Sequence, residues 1–334
     1  MLDISNKIAG KVVCITGANG YIGSALTQEL EKYALKIIRI SRKKIVPKNG
    51  TEDWILDLNK ESSWVKIISK SDIIFHLSGN TSIYDVEKNP KESLNSSVLP
   101  IIQLISAAKK LSIIPRIIFA STATVYGLTE ILPVTETKQP SPVTIYDLHK
   151  LFVEQQLLLA SKDNIIDAIS LRLANVYGPS PSESKSEDRG ILSKITRMKF
   201  ELKDLEVYGN EEYLRDYIFI DDVVRAFLCV SVMKYTILNK TNNIVLNVAS
   251  GTGNSVSEVF RLISNRVEKI TGAKGLIKNV SWPEGVNPIE KRNFIASIEL
   301  IKSMSGWEPS VSLEEGIQLL VDHYSKDCNN NEVS

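Results

Sequence analysis

Tyr146 and Lys150 lie four residues apart in TIYDLHKLFVEQQLLLASK, a segment whose apolar residues recur at helical spacing. Four residues is about one helical turn, so phenol and ammonium share a face. A free phenol has a pKa of about 10 and is a poor base near neutrality. A neighbouring ammonium favours the phenolate. Tyr146 can then exchange a proton with a substrate hydroxyl while hydride moves at the same carbon. Taken alone, this spacing is common on exposed helix faces. A second run, PRIIFAST (115–122), ends in Ser121-Thr122 and continues as Ala123-Thr124. Hydroxyls at the carboxyl edge of a parallel strand face the ligand crevice, where one of them would polarise an oxygen shared with Tyr146. Their alternative role is to satisfy backbone groups in a turn.

A glycine-rich loop adds context. KVVCIT (11–16) is strand-like and runs into Thr16-Gly17-Ala18-Asn19-Gly20-Tyr21-Ile22-Gly23, then into a helical segment. The G-x-x-G-x-x-G spacing permits a tight turn and close approach of a pyrophosphate to the amides of the helix start. A strand before and a helix after is the setting that a dinucleotide site requires. A plain strand-to-helix turn is the simpler alternative. Gly17, Asn19, Gly20, Tyr21, Ile22 and Gly23 are the candidate contacts. An NAD site usually places an acid at the end of the second strand. Here the chain reads Ile40-Ser41-Arg42-Lys43-Lys44. Ser41 and Arg42 suit a 2′-phosphate, because a guanidinium pairs with phosphate through two parallel hydrogen bonds. The expected cofactor is therefore NADP, with NAD as the alternative. Asp57 and Leu58, after the third strand, would flank the adenine; equally, Asp57 would cap the next helix.

These residues need strands whose ends converge. LKIIRIS (35–41), DWILDL (53–58), SDIIFHLSG (71–79), PRIIFAST and NIIDAISLRLANVYG (164–178) follow KVVCIT, with periodic helical segments between them. Continuous apolar strands joined by helices predict an α/β fold, a Rossmann-type doubly wound parallel sheet covered on both faces. After Pro179 the pattern becomes shorter and less regular, starting with the polar, Ser-rich 180–188, which reads as a loop. The predicted organisation is a dinucleotide-binding domain over 1–178, with 217–250 partly returning to it. A smaller interleaved substrate-binding lobe takes 179–216 and 251–325, and 326–334 fray.

Composition sets limits. The chain has 334 residues, 43% hydrophobic and 24% charged, which is ordinary for a globular protein. Forty Lys and Arg against 39 Asp and Glu leave a formal charge of +1, a poor basis for binding nucleic acid. The three cysteines share no short spacing, so neither a disulfide framework nor a cysteine zinc site is expected. No His, Asp or Glu cluster has ligand spacing, and no metal is expected. MLDISNKIAG lacks a signal-peptide core, and no apolar run has membrane-spanning length. The expectation is a cytoplasmic protein with no membrane contact.

TGANGYIG (16–23), DIIFHLSG (72–79), FASTATVYG (119–127), YDLHK (146–150) with LRLANVYGP (171–179), LRDYIFIDDV (214–223) and GWEPSVSLEEGI (306–317) occur in that order. Together they resemble the extended short-chain dehydrogenase/reductase family, the nucleotide-sugar epimerase/dehydratase group, over nearly the whole chain. The resemblance implies that Thr122 is the catalytic hydroxyl, Tyr146 the acid/base and Lys150 its cationic partner. Lys150 would also orient the nicotinamide ribose. Leu77, Ser78 and Gly79 would line the cofactor, Asn175 would help hold the substrate, and Arg215 would grip its diphosphate. Asn95 resembles a family asparagine that supports the site. The implied substrate is a nucleoside-diphosphate sugar. The implied assembly is a homodimer through a four-helix bundle from the helices containing Leu94–Leu111 and Leu148–Ala160. His76 is expected in the core.

Some positions depart from the family. Asp147 stands where a small residue usually follows the tyrosine, and His149 where a serine precedes the lysine. Trp282-Pro283-Glu284-Gly285 replaces a stretch that often carries a second phosphate-binding arginine. Trp282 would stack on a base or serve as a buried anchor. Ala123 and Thr124 occupy the positions where 4,6-dehydratases carry an acid pair, so dehydration is disfavoured. The leading expectation is an NADPH-dependent 4-keto-sugar reductase, because Ser41-Arg42-Lys43-Lys44 suits NADP. The alternative is a 4-epimerase with retained cofactor. A non-catalytic dinucleotide sensor is the expectation from another class, disfavoured by the intact Thr, Tyr and Lys set.

Overall fold

The computed structural model describes residues 4–33, 35–181, 190–209, 213–233, 245–272 and 276–331. Positions 182–188 of the expected polar loop lie outside these residues. The β-branched runs fold as β1 (Val12–Thr16), β2 (Lys36–Ser41), β3 (Thr51–Ile55), β4 (Ile73–His76), β5 (Arg116–Thr122) and β6 (Asp167–Leu173). β3 starts earlier than DWILDL suggests. Its register with β2 pairs Thr51 with Ile37 and Ile55 with Ser41, so Asp57 and Leu58 already lie past the sheet.

The run 164–178 divides. Beyond β6 the chain leaves the sheet for β7 (Asn175–Tyr177). After β8 (Leu205–Tyr208) and β9 (Leu214–Arg215), β10 (Tyr217–Phe219) pairs with β7 in parallel. β11 (Val245–Val248) then returns to pair with β6. β12 (Asn254–Ser255) pairs with β9 and β13 (Ile277–Val280) with β8, giving two further small sheets.

The central sheet has seven strands in the order β11-β6-β5-β4-β1-β2-β3, every neighbouring pair parallel. The order reverses between β1 and β4, which opens a crevice at their carboxyl ends. Alternation along β1 explains how both faces are covered. Val13 and Ile15 join a core with Leu26, Phe75 and Phe227, whereas Cys14 joins Ile38, Trp64, Leu104, Val153 and Leu157 on the other side.

The periodic segment 91–111 is interrupted. Helix Pro90–Ser93 passes through a π turn at Leu94–Val98 into helix Leu99–Leu111. Pro100 has no amide to bond back along a regular helix, and the π turn takes up the shift in register. At the end of the chain, helix Leu313–Asn331 continues through most of the segment predicted to fray. No helix among the described residues is long and apolar enough to cross a membrane.

Candidate active site

The crevice at the strand reversal opens into a cavity of about 1030 Å³. The glycine loop forms its floor. Gly17 has φ +70°, and a Cβ there would lie 2.8 Å from the Ser78 amide nitrogen. A Cβ on Gly23 would lie 2.2 Å from the Gly17 carbonyl oxygen. Side chains are excluded where loop and helix touch, so the loop is held against the start of helix Tyr21–Leu30. That helix has Gly20 as its N-cap and no side-chain cap, leaving its first amides available to an anion. Asn19, Gly20, Tyr21 and Ile22 line the same floor.

Thr16, at the end of β1, braces the crevice. Its Oγ1 accepts from the Leu77 and Ser78 amides at 3.2 and 3.3 Å and lies 2.9 Å from His76 Nδ1. His76 is a core residue, as the sequence suggested, packed against Trp64 and Phe119. Burial, and next the Lys150 charge, push its pKa down to about 3, so the ring is neutral. Leu77, Ser78 and Gly79 line one side of the cavity, Ser41 and Arg42 another, and Asp57 and Leu58 close that end. Asp57 Oδ1 also accepts from the Asn59 amide, but the next helix, Glu61–Ile68, has Lys60 as its N-cap and no side-chain cap, so the capping alternative is not realised. The π turn delivers Asn95 and Ser96 to the opposite wall.

Thr122, Tyr146 and Lys150 line the same cavity. Thr144 caps helix Ile145–Lys162 by accepting from the Asp147 amide, which fixes where the Tyr146 turn begins. Lys150 is buried and donates from Nζ to the Ala120 carbonyl at 2.8 Å. Its Nζ lies 6.0 Å from the Tyr146 ring centroid. Burial lowers its pKa to about 8, against the opposing pull of Glu154. Glu154 lies a further turn along the same face and pairs with Arg172 Nη2 at 2.6 Å, both residues buried. Ser121 also donates to Glu154. Repetition of the four-residue spacing beyond Lys150 was the available sequence signal for Glu154.

A second cavity, about 1070 Å³, holds Asn175 and Arg215 and shares Thr81 and Val176 with the first. Asn175 comes from β7 and donates from Nδ2 to the Asp216 carbonyl at 2.9 Å. Arg215, on β9, is buried and bonded to the backbone carbonyls of Leu214, Glu290 and Arg292. No ion pair joins it to a carboxylate among the described residues, although the Glu290 charge acts on it. Trp282 lines this cavity too, stacked on Tyr208 at 5.6 Å between centroids and edge-on to Tyr213. Sequence reasoning missed Tyr208, Tyr213 and the buried Arg292, because isolated aromatic and basic residues carry no spacing signal. His149 lines neither cavity; its Nδ1 lies 3.0 Å from Ser93 Oγ. Among the described residues no group of His, Cys, Asp and Glu is placed to hold a metal.

The cavities are set in a chain with clear relatives. The sequence pattern of the NAD dependent epimerase/dehydratase family matches residues 13–248. A putative UDP-glucose 4-epimerase of Methanocaldococcus jannaschii is 26% identical over 93% of this chain and 97% of its own. The solved UDP-glucose 4-epimerase of Thermotoga maritima with UDP-glucose is similar at 26% identity and a TM-score of 0.79, covering 95% of this chain and 99% of that one. MoeE5 in complex with UDP-glucuronic acid and NAD is similar at 25% identity and a TM-score of 0.80, covering 94% and 99%.

Proposed function

Because the chain belongs to the NAD-dependent epimerase/dehydratase family, we propose that it is a nucleotide-sugar 4-epimerase, with Thr122, Tyr146 and Lys150 as its catalytic residues. One observation carries this reading. A cavity floored by an uncapped helix start and flanked by Tyr146 and Lys150 joins, at Thr81 and Val176, a cavity holding Arg215 and Asn175. A dinucleotide fits the first and a nucleoside diphosphate the second, with the sugar between them. The relatives named above act on or bind UDP-sugars, which makes those the first substrates to test.

A nicotinamide dinucleotide, when bound, takes up and returns hydride. The glycine loop from Gly17 to Gly23 would hold its pyrophosphate on the amides of the helix start. Ser41, Arg42, Asp57 and Leu58 would take its adenosine end, and Leu77, Ser78 and Gly79 would support the middle. Lys150 holds the nicotinamide ribose and favours the Tyr146 phenolate, which takes the proton of the sugar hydroxyl. Thr122 hydrogen-bonds the same oxygen. Arg215 holds the diphosphate and Asn175 the sugar. Removal of hydride from C4 and its return to the other face is the chemistry that the dinucleotide would supply there.

A second reading is favoured by the cavity edge. Ser41, Arg42 and Lys43 line it, and residues 41–44 contain no acid. That edge suits a 2′-phosphate and a 4-keto-sugar reductase drawing on NADPH. Mass and absorbance analysis of the dinucleotide that co-purifies decides between them. Retained cofactor with interconversion of UDP-sugars supports the epimerase. An empty protein that binds NADPH far better than NADH and reduces keto-sugars supports the reductase. Binding without turnover of any nucleotide sugar overturns both and returns the sensor.

The assembly in this reading is a homodimer. Leu148, Phe152 and Leu159 recur along one helix face at 53%, 51% and 61% exposure, and Ile102 is exposed on the neighbouring helix Leu99–Leu111. Apolar stripes of this kind suit a bundle with a second copy.

A further inference from the structure

Thr122 is the first member of a chain of hydrogen-bonding groups. Its Oγ1 lies 2.9 Å from Thr124 Oγ1, and Thr124 hydrogen-bonds to Asp147 Oδ1. The three residues come from the end of β5, the following 3₁₀ turn Ala123–Tyr126 and the first turn of helix Ile145–Lys162. Thr122 lines the cofactor cavity. Asp147, next to Tyr146 in sequence, has no exposed surface. Helix capping uses its amide, which donates to Thr144 Oγ1. Its Oδ2 is buried without a hydrogen-bond partner among the described residues. Capping therefore accounts for the backbone of Asp147 but not for the bond between its carboxyl and Thr124.

Counting protons shows what the carboxyl does. Each threonine hydroxyl has one proton, and an ionised carboxylate only accepts. With Asp147 ionised, Thr124 gives its proton to Asp147 and accepts from Thr122. The Thr122 proton then points away from the cavity, and its lone pair faces the substrate. With Asp147 protonated, the carboxyl donates to Thr124 and Thr124 donates to Thr122. The Thr122 proton is then available to the cavity. The heavy atoms stay in place while the polarity of the chain reverses. Tyr146 takes the one proton of the sugar hydroxyl, so that oxygen, like a keto oxygen, needs a donor from Thr122.

We propose that Asp147 is a positioning residue whose protonated carboxyl, through Thr124, turns the Thr122 proton toward the substrate oxygen. This rests on the reading of Thr122 as the residue that faces that oxygen.

Burial raises the Asp147 carboxyl above its usual range, against the downward pull of the Thr124 and Thr144 hydroxyls and the Arg292 charge. Arg292 reaches it from the segment after the 3₁₀ turn Pro288–Lys291. It is itself buried, with Arg215 and Glu290 as its charged neighbours. Along its own helix the next charged groups are Lys150 and Glu154, one and two turns on.

Two variants test the inference. Asp147→Asn offers an amide that does not titrate, and Thr124→Val interrupts the chain while keeping the side-chain shape. Infrared spectroscopy of the protein without substrate reads the coupling directly. The expected spectrum has the carbonyl band of a protonated carboxyl, titrating above the ordinary carboxylate range, absent in Asp147→Asn and displaced in Thr124→Val. In turnover of a UDP-sugar, Thr124→Val should lower kcat about tenfold or more with KM changing far less, whereas Asp147→Asn, whose amide can donate to Thr124 as the protonated carboxyl does, should retain more of it. A kcat unchanged in Thr124→Val, or a carboxyl band unmoved by it, overturns the inference. A wild-type protein inert toward every nucleotide sugar overturns the functional reading instead, and the infrared result still decides whether Asp147 and Thr124 are coupled.

Discussion

Replacing Lys150 with methionine should abolish turnover and make the protein relatively more stable near neutral pH. Burial depresses the lysine pKa from 10.5 to about 8, with Glu154 opposing. The unfolded chain therefore binds this proton more tightly than the folded one, and wild-type stability rises with pH between those two values. The folded state carries a cost of about 3 kcal/mol at pH 7 and about 2 kcal/mol at pH 9 from this group, and almost none above its unfolded pKa. Methionine fills similar space without the charge. It forfeits the bond from Nζ to the Ala120 carbonyl, and leaving that carbonyl unsatisfied costs about 1–3 kcal/mol. The sum places Lys150→Met at or above wild-type stability at pH 7. The pH dependence is a sharper expectation, because the lost hydrogen bond contributes equally at every pH. The stability difference should shift by about 1 kcal/mol in favour of wild type between pH 7 and pH 9. Urea unfolding of both proteins at matched pH, with equal m-values, measures it. A difference that stays flat or moves in favour of the variant refutes the assignment of a buried, desolvated ammonium beside Tyr146.

Three other outcomes follow from named contacts. Gly23→Ala places a Cβ 2.2 Å from the Gly17 carbonyl oxygen; the loop must open, and titration by dinucleotide fluorescence should show affinity lower by about tenfold or more. Arg172→Met strands the buried Glu154 carboxylate; urea denaturation should report a loss of about 3–5 kcal/mol, much of it recovered when Glu154→Gln is added. Phe152→Glu puts a charge on the exposed apolar face of helix Ile145–Lys162, and sedimentation should find a monomer where wild type is a dimer.

The sheet was legible because buried parallel strands must be continuous apolar runs, and KVVCIT, KIIRIS and RIIFAST have few other uses. The glycine loop was legible because contacts at Gly17 and Gly23 leave no room for a side chain. Tyr146 and Lys150 begin one helix and line one cavity, as their spacing suggested, whereas strand-end position alone did not separate Thr122 from Ser121, which lines the same cavity. The strand boundary at Ala174 was not, since β7 finds its partner at Tyr217–Phe219, far along the chain. The π turn at Leu94–Val98 was hidden inside a regular apolar period. Trp282 illustrates a different limit. It stands where relatives often carry a charge, and of its two expected uses, stacking on a base or anchoring, only its packing on Gly209, Tyr208 and Tyr213 is seen. Buried Arg292 escaped notice because no local pattern distinguishes it from a surface cation. Asp147 stood out only as a departure, and its role needed Thr124 and Thr122 placed beside it.

Label transfer tests hydride chemistry at Tyr146 most directly. The protein, loaded with oxidised dinucleotide, is mixed with a UDP-sugar deuterated at C4, and the nicotinamide is analysed by mass spectrometry after rapid quenching. The account predicts deuterium on the nicotinamide of the wild-type protein and its near absence in Tyr146→Phe, with dinucleotide affinity unchanged. Epimerised sugar formed with no label ever reaching the nicotinamide, or full transfer in Tyr146→Phe, would contradict it.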